Sequence, residues 1–141
     1  MTKETPRRQA RELALQALYA WEIGELTLEE IEARVICDDE ASEKTLEYAR
    51  ELFRLTCRDH EKIDVIITEL AHNWKVSRMA SVDRNILRLA ITEMAEMPDV
   101  PVKVVINEAI EMSKKFSTAE SSSFVNGILD RYIRNLSRTG S

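Results

Sequence analysis

The stretch VPVKVVINEAIEMSKKFSTAESSSFVNGILDRY, residues 100–132, decides the fold. Pro101 opens a helix, because its fixed φ suits a first turn where its missing N–H is not needed. Val105, Ala109, Met112 and Phe116 then recur at three- and four-residue steps, which gives that helix one apolar face. Lys114, Lys115 and Phe116 end it, and a serine-rich restart opens the next helix at Ser121 or a neighbour, with Phe124 and Ile128 on its apolar arc. Two helices joined by a short polar break form an edge suited to binding, with no sign of a catalytic pocket.

Working outward, the rest of the chain follows the same period, in about seven helical segments. Thr5 is a plausible N-cap with Pro6 at the first position, and Ala10, Leu13, Ala14, Ala17, Leu18 and Trp21 face a core before Gly24 stops the helix. TLEE at residues 27–30 has capping-box spacing and starts a second helix running to about Ile36. After the acidic loop CDDEAS, Leu46, Ala49, Leu52, Phe53 and Thr56 trace a third helix. A bend near Asp59 separates it from a fourth, marked by Ile63, Ile66, Ile67 and Leu70. Residues 74–80 read as irregular or a short turn. Ser81 then caps a helix through Ile86, Leu89, Ala90, Met94 and Met97, stopped by Pro98.

Composition agrees with an all-α, single-domain chain spanning residues 1–141. Of 141 residues 44% are apolar, with only three Gly and three Pro, and a chain this long buries roughly 70% of its unfolded surface without a metal or disulfide staple. No 18-residue apolar run and no apolar leader segment is present, so the expected compartment is the cytosol. Cys37 and Cys57 read as ordinary thiols.

The net charge of −5 is unevenly placed. Residues 1–11 carry Lys3, Arg7, Arg8 and Arg11 against Glu4, whereas residues 22–51 hold eleven acids against Arg34, Lys44 and Arg50. A basic tip beside an acidic flank orients an anionic ligand, although two solvated faces produce the same pattern. Arg7, Arg8 and Arg11 fall on an arc beside the apolar stripe and are expected in solvent. Cations in a first helical turn oppose the macrodipole, each at about 0.3–1 kcal/mol, and a bound phosphate offsets that cost. Arg8, Arg11, Leu15 and Tyr19 share one side of the helix, which puts an aromatic ring beside the basic face for base stacking; Tyr19 serves equally as a rim residue of the core.

The second candidate surface is Lys114, Lys115 and Phe116 with Glu120, Ser121, Ser122, Ser123 and Phe124. The restarting helix offers unpaired backbone N–H groups, and serine hydroxyls add donors without bulk. Lysines also cap helix ends and serines also start helices, so capping alone explains the same residues. Catalysis and metal binding find no such support. Cys57 and His60 are three apart without a second ligand pair, no phosphate loop or nucleophile elbow occurs, and Glu93 reads as a buried, hydrogen-bonded carboxylate. Asn107 and Asn126 read as ties between helices, and Gly127 as a point of close backbone approach.

Three motifs in order, RRQARELALQALYAWE, VDRNILRLAITEM at residues 82–94, and VPVKVVINEAIEMSKKF with FVNGILD, resemble the NusB family of transcription antitermination factors. The resemblance covers nearly the whole chain. It implies an all-α fold of two small helical bundles, monomeric or dimeric, without enzymatic activity or cofactor. It also implies binding of the single-stranded boxA element of ribosomal RNA transcripts, together with the ribosomal protein NusE, in support of RNA polymerase. On that resemblance Arg7, Arg8 and Arg11 contact phosphates, Tyr19, Phe116, Glu120 and Phe124 surround bases, and Arg78, Asp83, Arg84 and Arg88 lie on the NusE-facing side. Gln9 and Ser123 depart from relatives that carry Arg and Lys there, which is expected to shift affinity toward the partner. Ribosomal RNA cytosine methyltransferases resemble this fold in an accessory domain, but with the sequence ending at Ser141 their cofactor domain is not expected. The competing class is a protein-only helical interaction module or self-associating dimer.

Overall fold

The computed structural model describes residues 5–138; Lys3 and Glu4 of the basic tip, and Ser141, lie outside them. The described residues form six α-helices and one 3-10 turn: α1 Pro6–Ile23, α2 Leu28–Arg34, α3 Glu43–Leu70, the turn Val76–Arg78, α4 Ser81–Glu96, α5 Val102–Phe116 and α6 Ala119–Arg138. The expected third and fourth helices are therefore one 28-residue helix. Residues 57–62, CRDHEK, interrupt the apolar pattern, but Arg, Glu and Lys are good helix formers and carry the backbone through.

The chain divides into two compact units, one ending at Arg58 and one beginning at Asp59. The first holds α1, α2 and the first half of α3. Thr5 caps α1 by accepting from Arg8 N at 3.1 Å. Gly24 closes it at φ 81°, a left-handed conformation that a residue without a Cβ adopts freely. Thr27 and Glu30 complete the capping box of α2, each side chain accepting from the other's backbone N–H at 3.1 Å. Ala10, Leu13, Ala14, Leu18, Ile31, Leu52 and Phe53 are among the buried apolar side chains of this unit. Gln9 Nε2 donates to Asp38 Oδ2 at 2.7 Å, and Arg54 pairs with Glu32, which tie α1 and α3 to the segments around α2.

The second unit packs α4, α5 and α6 on one another beside the rest of α3. Ile86, Leu87, Leu89, Val105, Ala109, Val125, Ile128 and Leu129 are buried. Polar ties join its helices. Arg88 donates through Nε and a terminal nitrogen to both oxygens of Asp64, each at 2.8 Å, and also to Asn85 Oδ1 at 2.8 Å. Arg131 donates to the Leu70 carbonyl at 2.7 Å, satisfying one orphan acceptor where α3 ends.

Other boundaries and packing roles differ from the sequence expectation. Helix α4 begins at Ser81 with Ala80 at its N-cap, and α6 begins two residues before Ser121, capped by Thr118 Oγ1 accepting from Ser121 N at 3.1 Å. Gly127 is not a close approach: a Cβ built there meets nothing within 4 Å. Asn107 and Asn126, expected to tie helices together, lie on exposed faces. Among the described residues no helix is long and apolar enough to cross a membrane.

Candidate nucleic-acid interface

In the first unit the candidate surface starts from an electrostatic mismatch. The first turn of α1 carries no acid, so its partial positive charge meets two more cations at Arg7 and Arg8. Arg7 is exposed and its guanidinium carbon sits 3.8 Å from the centroid of the Tyr48 ring on α3. That contact orients the guanidinium by cation–π attraction. Arg8 is half-buried. Arg11 is only 3% exposed and Glu12 is also buried, against the expectation that all three arginines stand in solvent. The reason is the width of the buried arc: residues 10–15 are all buried, so a position beside the apolar stripe of α1 is covered too. Tyr19, by contrast, is 55% exposed.

In the second unit α5 ends in Lys114, Lys115 and Phe116, all exposed. Lys114 makes a 3.7 Å ion pair with Glu111, both side chains more than half exposed, which contributes little. Lys115 Nζ stands 5.3 Å from the Phe116 ring centroid, and the ring keeps 38% of its surface in solvent. The serines at the α6 start divide by role. Ser121 Oγ accepts from Ser117 Oγ at 2.8 Å and Thr118 Oγ1 at 3.2 Å, and donates to Asp83 Oδ2 at 3.1 Å. Ser122 Oγ donates to the Ala119 carbonyl at 2.8 Å. Glu120 and Ser123 are exposed.

Phe124 is half-buried and meets Trp74 edge-on at 5.3 Å. Trp74 is 46% exposed, an aromatic in a segment expected to be irregular or a short turn. It follows His72 and Asn73, which stand at φ 54° and 70°. Two consecutive left-handed residues without glycine turn the chain sharply after α3. Nothing in the local pattern announces that turn, and the only sequence signal at Trp74 is a tryptophan outside a helical stripe.

The four residues expected on the partner-facing side differ in environment. Arg78 is exposed. Arg84 is half-buried and donates to the Met79 carbonyl at 2.9 Å. Arg88 is 6% exposed and held by Asp64 and Asn85, and Asp83 is 8% exposed with one oxygen bonded to Ser121 and Oδ1 without a partner. Among the described residues no three His, Cys, Asp or Glu side chains converge as metal ligands.

Comparison with known proteins gives one answer. Residues 8–134 match the NusB family. The chain is 43% identical over 125 residues to the transcription antitermination protein NusB of Chloroherpeton thalassium, covering 88% of this chain and 59% of that protein. It is 42% identical over 137 residues to the protein of the same name from Desulforapulum autotrophicum, covering 94% and 95%. T. maritima NusB superposes with a TM-score of 0.84 at 38% identity, over 92% of this chain and 91% of that one. A structure of antitermination factors NusB and NusE in complex with dsRNA superposes with a TM-score of 0.80 at 27% identity, over 89% and 94%. The three motifs, the helical fold and these likenesses agree: the chain belongs to the NusB family.

Proposed function

We propose that this chain is a transcription antitermination factor that binds a short single-stranded RNA, the boxA element of ribosomal RNA transcripts, together with the ribosomal protein NusE. The role is one of binding within the RNA polymerase antitermination complex, without catalysis or a cofactor, and it places the protein in the cytoplasm beside the nascent transcript. The whole chain serves as one functional domain in this reading.

The observation that carries the proposal is the amino end of α1, which stacks arginines onto an uncompensated helix dipole and has an exposed Tyr19 further along. Phosphates relieve the first feature and unstacked bases use the second. Arg7 and Arg8 contact phosphates, and Arg11 supports them from a buried position. Tyr19, Phe116, Glu120 and Phe124 surround bases, with Lys114, Lys115, Ser121 and Ser123 at the second edge. Family membership supports the function, and the solved complex of NusB and NusE with dsRNA supports the pairing of RNA with NusE. NusE is assigned to the side bearing Arg78, Asp83, Arg84 and Arg88; of these, Arg78 and Arg84 reach solvent and Asp83 and Arg88 hold the surface in shape.

Fluorescence anisotropy with labelled boxA RNA and a scrambled control, at two salt concentrations and with or without NusE, tests this. Sequence-dependent binding that tightens with NusE is expected, with a salt slope near −0.7 per neutralised phosphate. Equal, weak binding of both RNAs in every condition overturns it in favour of a protein-only module.

A further inference from the structure

A cleft of about 310 Å³ opens in the first unit between the amino ends of α1 and α3, lined by Pro6, Arg7, Ala10, Ser42, Lys44, Thr45 and Tyr48. Its lining contains two cations and no carboxylate. That is unexpected in a region where residues 22–51 hold eleven acids. The nearby acids have other partners: Glu43 and Glu47 pair with Arg50, and Asp38 accepts from Gln9 Nε2 and from Glu40 N. Arg7 and Lys44 make no ion pair among the described residues, and both are exposed. Two cations lining one concavity repel each other, and a single anion between them removes that repulsion. A low-dielectric wall concentrates their field. Here the wall is the ring of Tyr48, which Arg7 covers, together with Pro6 and the fully buried Ala10.

We propose that this cleft seats one phosphate group of the bound RNA backbone, with Lys44 as a second donor opposite Arg7. The inference rests on the RNA-binding function proposed above and extends its track from α1 onto the start of α3. Lys44 supplies a compact charge with three donors and Arg7 a planar fork, so one phosphate satisfies both. Ser42 and Thr45 hydroxyls bond to each other at 2.9 Å and Thr45 N donates to Ser42 Oγ at 3.1 Å, which shapes the cleft floor. The acids of the same flank then act as a border that confines an anionic strand to this opening.

Two measurements on the full chain test the proposal. In the first, inorganic phosphate is titrated into ¹⁵N-labelled protein and the amides of Lys44, Thr45 and Tyr48 are followed. Saturable shifts that vanish in Lys44→Gln are expected, and no shift at these amides overturns the cleft. In the second, RNA affinity and its salt slope are compared for wild type, Lys44→Gln and the control Lys62→Gln, which removes the same charge from an exposed position further along α3. Loss of one phosphate contact lowers the slope by about 0.7, equivalent to roughly fivefold weaker binding at 0.1 M salt. Lys62→Gln is expected to change neither to that extent. Phosphate shifts with an unchanged RNA slope in Lys44→Gln mean an adventitious ion only and overturn the assignment to RNA. Failure of the wild type to bind RNA at either salt, while phosphate still seats, refutes the RNA source and the function above, and is distinguishable from failure of the cleft itself.

Discussion

Removing either member of the Arg88–Asp64 pair is expected to destabilise the second unit by several kcal/mol, and removing both far less. The Arg88 side chain is 8% exposed and that of Asp64 25% exposed, so each deletion strands a charge in a different environment. Breaking a buried pair costs about 3–5 kcal/mol, chiefly because the remaining charge is left uncompensated. Arg88→Met keeps the apolar stem and leaves a quarter-exposed carboxylate that water reaches, so its cost falls near 3 kcal/mol. Asp64→Ala takes the carboxylate that holds two nitrogens away from the more deeply buried guanidinium and is expected near 4 kcal/mol. The double variant strands no charge and is expected within about 2 kcal/mol of wild type, a coupling of several kcal/mol. Urea unfolding, followed by Trp74 fluorescence in a Trp21→Phe background, reports the unit that holds the pair. Additive losses in the double variant, or single losses under about 1 kcal/mol, refute the reasoning and return Arg88 to a surface role.

Two further perturbations probe local devices. The Glu30 carboxyl titrates below its ordinary range, first because the Thr27 backbone N–H donates to it and then because of the Thr27 side chain and Arg34. A lowered folded-state value stabilises α2 above the ordinary carboxylate pKa, and that contribution is lost as pH falls through the lowered one. Glu30→Gln is therefore expected to flatten this part of the acid side of a stability–pH curve, and an unchanged curve refutes the capping-box account. Gly127→Ala is expected to raise stability by about 0.5–1 kcal/mol, since the site is helical and open and the unfolded chain loses freedom. A lower melting temperature in that variant contradicts the open-space reading.

What the sequence shows depends on how local the cause is. Thr5, Pro6 and Gly24, the Thr27–Glu30 box, and Pro98 with Pro101 act within one turn, and each marks a helix end within about a residue or two of the observed one. Continuity of α3 through residues 57–62 is set by propensity against an interrupted apolar pattern, and the pattern alone suggested a break. At the candidate surface, the basic α1 tip and exposed Tyr19 follow from helical spacing. The burial of Arg11 does not, because it depends on how far packing wraps α1. Lys44, Tyr48 and Trp74 are tertiary findings: the Tyr48 ring meets Arg7, and Lys44 shares a cleft with it, only once α3 is packed beside α1, and Trp74 meets Phe124 across 50 residues.

The bonding at Ser121 has a stoichiometric consequence. A hydroxyl owns one proton and two lone pairs. Ser121 spends the proton on Asp83 and both lone pairs on Ser117 and Thr118. Its valence toward hydrogen bonding is full, so a strand lying along this edge finds no vacancy there unless it displaces a neighbour. A ligand that did take the Ser121 proton would leave both oxygens of Asp83 bare inside the protein. The run of three serines thus offers unequal invitations: one is closed, one keeps its proton on the Ala119 carbonyl, and Ser123 alone faces outward with its hydroxyl at a guest's disposal.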